Sequence, residues 1–387
     1  MSDPILWPFA RGGEVTEQLE WLTDVLPVAT GPAQTRRLRN APRVTLTFDG
    51  MEEARSRRLM ENLVHRNGAG LWHVPLPCDG FTLAADAPAG ALLLGANGGV
   101  GRFTDAAMLE GSPGSVERVS VAAAGTDGLT LAVPTMKSWP AGTTVLPLVR
   151  ARLADMPAFS RFTGDAISYQ VNWLLDAPQD WAPAPLPTYR GFPVFEWVPD
   201  WSQDPRWAPV RRLSVVDYGT GPWQTFDLVG KPEDEVALQL AAVGPAEISA
   251  LRDLVYALAG RWQPVWVSTR GQDLRVVAPA AAAGDTLDVE ACGLVGAPVS
   301  ATRRDLRIEL AGGNVLYRRV VAISAVGDDV ERLLLDTPLG ADVSPENVGA
   351  ASWMLLARQT ADINKFRYWT ADVVQTELAF KGEPAGV

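Results

Sequence analysis

One stretch of this sequence occurs twice, and the repetition limits the possible folds more than any other feature. Residues 154–173 read ADMPAFSRFTGDAISYQVNW and residues 361–380 read ADINKFRYWTADVVQTELAF. An internal repeat of this kind indicates that a chain is built from similar structural units. The positions that the two copies share are predicted to be anchors of the repeated fold, namely Asp155, Phe159 and Asp165 in the first copy and Asp362, Phe366 and Asp372 in the second.

The similarity extends upstream of this stretch. Residues 36–49 read RRLRNAPRVTLTFD and residues 211–227 read RRLSVVDYGTGPWQTFD. Both segments begin with Arg-Arg-Leu and end with an alternating apolar run that closes on Phe-Asp, which is the periodicity of a strand. The predicted anchors in these segments are Arg36, Arg37 and Phe48 in the first copy and Arg211, Arg212 and Phe226 in the second.

An amphipathic helix is predicted after this strand in each copy. In the first copy the helix lies within residues 52–68. At its start, Asp49 and Glu52 resemble a capping box. In the second copy Pro245 lies near the helix start and Gly260 just beyond its end, which is the usual asymmetry. The pattern therefore predicts a mainly β chain with a few helices, organised as two repeats.

The repeats are predicted to be residues 1–178 and residues 200–387. Residues 179–199 between them are rich in Pro and Trp and show no helical period, which is typical of an ordered, extended linker. Six of the 14 tryptophans cluster around this linker. Trp181, Trp197 and Trp201 are predicted to pack against neighbouring subunits, because tryptophan is enriched in interface cores.

Composition excludes several classes of protein. The chain has 387 residues with a net charge of −11, and this acidity disfavours a protein that grips nucleic acid. Two cysteines in such a length do not form a disulfide scaffold. No apolar run approaches the ~20 residues of a membrane span. The first residues have no basic segment followed by an apolar one, so a secretory signal is not expected.

No combination of residues predicts catalysis, a metal or a cofactor. The only histidines are His65 and His73, and neither has the partner spacing of a zinc site. The acid pair Asp155 and Asp165 could act in acid–base chemistry. However, it recurs in the second copy, which favours a role in a turn between strands. The glycine-rich segment 95–101 lacks the order of a nucleotide-binding loop.

The ordered series of motifs resembles tail proteins of long-tailed bacteriophages, and the resemblance covers most of the chain. It rests on RRLRNAPRVTLTF before the first helix, and on LPTYRGFPVFEWVPDWS and DYGTGPW around and after the linker. It also rests on ALRDLVYALAGRWQPVWVSTRGQDL and on the closing WMLLARQTADINKFRYWTADVVQTELAF. The most similar members are distal tail or baseplate-hub proteins.

This resemblance implies a tandem duplication of a tail-tube-like β-sandwich or barrel domain with a flanking helix. It implies a homo-oligomeric ring at the virion tail tip, assembled in the host cytoplasm, with the tail tube protein above and baseplate hub or tip proteins below. A trimer with pseudo-sixfold symmetry is preferred and a hexamer is the alternative. DNA would pass through the lumen without specific binding, because an acidic surface repels it.

Two other functions remain open from the sequence. The first is a carbohydrate-binding tail component that contacts the host surface, because exposed tryptophan can stack on sugars. The second is an enzyme such as a cell-wall hydrolase, which the lack of a convincing His, Cys or acid constellation disfavours.

Overall fold

A computed structural model describes residues 4–9, 13–26, 33–97, 100–111, 115–179, 181–211, 213–228, 230, 232–296 and 303–383. These residues are mainly β, as predicted, with two α-helices and a six-stranded barrel. We refer to residues 4–178 as the first half, residues 179–199 as the linker and residues 200–383 as the second half.

Fourteen strands, the helix α1 and one 3₁₀ turn make up the described part of the first half. They are β1 (Ile5–Leu6), β2 (Val15–Glu20), β3 (Thr23–Leu26), β4 (Gln34–Arg37), β5 (Arg43–Glu53), α1 (Ala54–Asn67), β6 (Trp72–Pro75), the 3₁₀ turn (Pro77–Asp79), β7 (Phe81–Leu83), β8 (Leu93–Asn97), β9 (Ala106–Glu110), β10 (Val116–Gly125), β11 (Gly128–Leu131), β12 (Thr144–Leu153), β13 (Phe159–Arg161) and β14 (Ala166–Leu175).

The linker carries two short strands, and the described part of the second half carries twelve strands and the helix α2. They are β15 (Thr188–Tyr189), β16 (Phe192–Pro193), β17 (Arg206–Val210), β18 (Leu213–Val216), β19 (Gln224–Asp227), β20 (Glu233–Val243), α2 (Pro245–Leu258), β21 (Val265–Ser268), β22 (Thr286–Glu290), β23 (Asp305–Leu310), β24 (Val315–Ala325), β25 (Val330–Leu335), β26 (Val348–Gln359), β27 (Ile363–Thr370) and β28 (Val373–Gly382).

An eight-stranded antiparallel sheet passes through both halves. Its strand order, read from the pairing registers, is β17–β20–β28–β27–β2–β5–β14–β13. Inward residues such as Leu46 and Phe48 alternate with more exposed ones along β5, which confirms the predicted strand periodicity. The sheet has two ends, the edge strands β13 and β17, and both are short.

A closed barrel stands beside this sheet in the first half. The strands β7, β8, β11, β10, β9 and β12 pair in a circle, and β12 pairs with β7 to close it. Apolar side chains fill the interior, including Phe81, Leu94, Leu129 and Trp139. In the second half β22, β25, β24, β23 and β26 pair in an equivalent row. Closure removes the unpaired edges that short strands would otherwise expose.

Each helix follows a long strand of the sheet and packs its apolar side on the main core. Met60 and Val64 of α1 are buried there, together with Leu251 and Val255 of α2. The predicted capping box is wrong, because Asp49 lies inside β5 and the residue before α1 makes no side-chain cap. The strand simply continues further than its sequence pattern suggested.

The linker packs on the second half. Phe195 is fully buried, its N–H donates to the Trp266 carbonyl at 2.8 Å, and its ring lies 5.5 Å from that of Phe380. Glu196 accepts a hydrogen bond from Arg307 at 2.8 Å. Burial alone would raise the pKa of Glu196, but hydrogen bonds from Arg307 and Tyr317 lower it below its ordinary value.

Candidate interaction surface

The two halves are joined by strand pairing between β2 and β27. The register runs from Val15 opposite Tyr368 to Glu20 opposite Ile363. The Trp21 N–H extends this ladder by donating to the Asp362 carbonyl at 2.8 Å. The main core continues across the same junction, since residues of both halves pack in one cluster. We call this contact the inner junction.

A buried ion cluster lies at the inner junction. Two acids, Glu17 of β2 and Asp79 of the 3₁₀ turn, face two arginines. Arg102 Nη1 donates to Glu17 Oε1 at 2.7 Å, and Arg102 Nη2 donates to Asp79 Oδ2 at 2.7 Å. Arg252 of α2 lies 3.2 Å from Asp79 and donates to the Tyr368 hydroxyl at 2.9 Å. Three of these residues belong to the first half, and Arg252 and Tyr368 belong to the second.

The ionisation of the cluster follows from its charge balance. Burial alone would raise the pKa values of Glu17 and Asp79, but the guanidinium groups of Arg102 and Arg252 hold both below their ordinary values. Burial, with the negative charges of Asp79 and Glu17, raises the pKa of the neighbouring Cys78 thiol well above its ordinary value. Two anions therefore neutralise two cations, which suits a fixed structural contact and leaves Cys78 protonated at neutral pH.

A small hairpin of the first half, β3–β4, lies against the second half. We call it the docked hairpin. The Thr23 N–H donates to Asp362 Oδ2 at 2.8 Å, and the Arg261 N–H donates to Asp362 Oδ1 at 2.9 Å. The Arg37 guanidinium lies 5.2 Å from the ring centroid of Trp262. Asp362 thus accepts backbone donors from both halves. Burial opposes its charge, but these donors lower the pKa of its carboxyl.

Replacing Asp362 with alanine is expected to lower the free energy of unfolding by about 1–3 kcal/mol, because two backbone donors lose a charged acceptor. Amide hydrogen exchange should also speed up at Thr23 and Arg261. The matched control is Asp372→Ala, an exposed aspartate further along the same strand pair, with an expected change within about 0.5 kcal/mol. Equal exchange rates in the two variants would contradict the assigned role of Asp362.

The predicted anchors Phe159, Asp165, Phe366 and Asp372 lie on or next to strands of the long sheet. Phe366 is fully buried and Phe159 is partly buried. The Thr163 hydroxyl accepts the Asp165 N–H at 3.3 Å, and the Asp165 carbonyl accepts the Ala54 N–H at 3.0 Å. Asp372 makes the corresponding backbone contacts with Thr370 and Gly244. Both aspartates therefore lie in a turn between strands, where the threonine hydroxyl is the acceptor.

The upstream anchors have different surroundings in the two halves. Phe48 is buried in β5, whereas Phe226 is 51% exposed on β19. Phe48 lies opposite Val171 in β5, the strand that leads into α1, whereas the strand that leads into α2 is β20 and not β19. The alignment of Phe48 with Phe226 is therefore wrong. Arg36 is exposed on β4, Arg37 stacks on Trp262, and Arg211 donates to Asp227 at 2.5 Å. Arg212 lies outside the described residues.

The three tryptophans assigned to an interface have different surroundings. Trp181 donates to Asp253 at 2.5 Å and lies 5.5 Å from the Arg252 guanidinium, so it docks the linker on α2 of its own chain. Trp197 is partly buried against the main core. Trp201 is 60% exposed. Seven of the 14 tryptophans are buried in cores. This burial accounts for much of the high tryptophan content without a sugar-binding surface.

Apolar side chains are concentrated on a second hairpin, β18–β19, which we call the projecting hairpin. Exposed fractions range from 51 to 75% for its large apolar residues, which are Leu213, Val215, Tyr218, Trp223, Phe226 and Leu228. It follows the edge strand β17. At the opposite edge β13 pairs with β14, and Met156 and Phe162 beside it are more than half exposed. Both ends of the long sheet thus carry exposed apolar side chains.

Neither helix within the described ranges has the length and apolar character needed to cross a membrane. Across the same part of the chain, no group of three or more His, Cys, Asp or Glu side chains is arranged to hold a metal ion. Comparison with models of known protein families and with curated proteins gave no match.

Proposed function

We propose that this chain is a structural protein of a bacteriophage tail tip. Copies of it form a distal tail or hub ring that joins the tail tube to the baseplate and lines the channel for DNA. The observation that carries the proposal is the eight-stranded sheet with its unpaired edges β13 and β17. Unpaired sheet edges favour association, and a ring of copies covers every one of them.

The proposal includes a tandem duplication of one tube-like domain. The order of pairing supports it: β2, β5, β14 and β13 are neighbours in the first half, as β17, β20, β28 and β27 are in the second. Each long central strand leads into a helix and then into a strand that pairs with β12 in the first half or with β26 in the second. The inner junction then joins two domains in a head-to-tail manner.

Head-to-tail contacts between unlike surfaces produce closed rings or open filaments. With two domains in each chain, three copies supply six positions, which would match a sixfold tube. We therefore prefer a trimer with pseudo-sixfold symmetry over a hexamer of chains. The net charge of −11 supports the passage of DNA, because a lumen of like charge does not retain it.

Cryo-electron microscopy of particles from cells that carry the gene tests this proposal. We expect density for the chain at the end of the tail tube. Native mass measurement of the purified protein should give three times the 41.6 kDa of one chain. A ring of six chains would overturn the trimer, and absence of the protein from purified particles would overturn the tail-tip role. Glycan binding that Trp201→Ala abolishes would instead support a carbohydrate-binding component.

A further inference from the structure

We propose that the projecting hairpin of one copy docks on the first half of the next copy, at the surface around Asp155 and Met156. This inference rests on the proposed ring and names the contact that builds it. The occupant of the apolar hairpin is therefore a second copy of this chain, and the inner junction serves as the template for the contact.

The docked and projecting hairpins have the same construction. Thr23–Leu26 and Gln34–Arg37 are matched by Leu213–Val216 and Gln224–Asp227, each strand beginning 190 positions later. Their registers agree, since Thr23 faces Arg37 as Leu213 faces Asp227. Each hairpin also follows an outer strand of its half, β2 or β17. The first hairpin has a partner domain, and the second projects from the chain.

The exposed side chains of the projecting hairpin indicate that it binds a partner. An isolated two-stranded hairpin is only marginally stable in water. Six large apolar residues are more than half exposed on this one hairpin, and exposed apolar surface of this kind marks interaction sites. In the docked hairpin the matching positions include Thr23 and Arg37, whose contacts with Asp362 and Trp262 belong to the other half. A corresponding domain surface is therefore the natural partner for the projecting hairpin.

That surface is the first half around Asp155. Asp155 lies 207 positions before Asp362 in the repeated stretch and is exposed. The hydrogen bond that its carboxylate accepts from the Asn172 side chain is long, at 3.4 Å. The Leu213 N–H donates to the Arg211 carbonyl at 3.1 Å within its own chain. If the geometry of the inner junction is repeated between copies, this N–H exchanges that contact for the Asp155 carboxylate of the next copy. The exposed side chains of Met156 and Phe162 flank the same edge and offer an apolar contact.

Prolines near both sheet edges determine which groups contribute to the affinity of this contact. Pro157 precedes the edge strand β13, and Pro205 and Pro209 lie at the other edge. Proline removes ladder donors and keeps sheet edges from pairing indiscriminately. A backbone ladder between β13 and β17 of adjacent copies therefore has fewer donors than the inner junction. The apolar hairpin and Asp155 supply the rest of the contact, which makes it selective for a copy that carries both.

Disulfide cross-linking tests the contact on the purified full chain. In a background with Cys78→Ser and Cys292→Ser, a Leu213→Cys variant is mixed with an Asp155→Cys variant. We expect a disulfide-linked dimer under mild oxidation. The matched control replaces Asp155→Cys by Asp165→Cys, an exposed aspartate on the same segment, and should give at least tenfold less product. Equal yields from both mixtures, or no product from either, would overturn the inference.

A second variant separates assembly from folding. Val215→Ser, Trp223→Ser and Phe226→Ser together should abolish assembly in a mass measurement and leave the thermal midpoint of the monomer unchanged, because these side chains are solvent-exposed. Asp155→Ala should weaken association about tenfold, as expected for one charged hydrogen bond. A triple variant that still assembles, or a wild-type chain that stays monomeric at high concentration, would overturn the contact. The tail-tip role is tested on particles, so either idea can fail alone.

Discussion

Replacing Arg252 with methionine is expected to lower the free energy of unfolding by about 3–5 kcal/mol, the cost of breaking a buried ion pair by removing one partner. Arg252 lies 3.2 Å from Asp79 and 3.4 Å from Glu17, and its side chain is 4% exposed. Without it, two buried carboxylates share the single arginine Arg102. Urea denaturation at low protein concentration, where assembly does not contribute, measures the change.

The control for this prediction is an exposed ion pair. Arg152 lies 3.3 Å from Asp176, and its side chain is 54% exposed, so Arg152→Met should change stability by no more than about 1 kcal/mol. A second control combines Arg252→Met with Asp79→Asn, which restores charge balance. The double variant should lose less stability than the sum of the two single variants. Simple additivity would show that the four charges do not act as one cluster.

The same cluster predicts a dependence of stability on pH. The folded-state pKa values of Glu17 and Asp79 lie below their ordinary values, which are about 4 in an unfolded chain. Their contribution is therefore fully present above pH of about 4 and is lost as the pH falls through the lower folded-state values. Wild-type protein should lose stability steeply in this range. The Arg252→Met variant should lose less there, because its acids are less strongly held in the charged form.

The sequence predicted those elements whose periodicity is long and regular. The alternation of Val44, Leu46 and Phe48 and the apolar stripe around Leu251 both correspond to elements of the structure. The strands within residues 80–128 and 271–330 could not be predicted from the sequence. They are rich in glycine and alanine, and their pairing depends on distant partners such as β12 and β26. Local patterns carry little information about such closures.

The ion cluster was missed because its members are scattered from residue 17 to residue 368. One signal was nevertheless present in the sequence. Glu17 shares the inward parity of Val15 and Leu19 on a strand, where a charge is expected only with a buried partner. The mismatch of Phe48 with Phe226 has a similar lesson. The two Phe-Asp pairs were aligned because their residue types are the same. Which residues are equivalent depends instead on the position of each strand in the sheet.

Replacing Trp7 with alanine is expected to lower the free energy of unfolding by about 3–5 kcal/mol, the usual cost of deleting a large buried aromatic side chain. Trp7 is fully buried, and its ring centroid lies 4.9 Å from that of Phe9, 5.0 Å from that of Trp173 and 5.7 Å from that of Trp72. The backbone N–H of Trp7 donates to the His73 carbonyl at 2.9 Å, so the segment before β2 is part of the core.

The matched control for Trp7 is Trp369, which is 50% exposed and lies 4.0 Å from the Arg367 guanidinium. Trp369→Ala should cost about 0.5–1 kcal/mol, the value of an exposed cation–π contact. Thermal unfolding followed by near-ultraviolet circular dichroism separates the two variants, and Trp7→Phe should recover part of the loss. Similar midpoints for Trp7→Ala and Trp369→Ala would mean that the first residues of the chain do not hold the core together. In that case the aromatic cluster would depend on Trp72 and Trp173 alone.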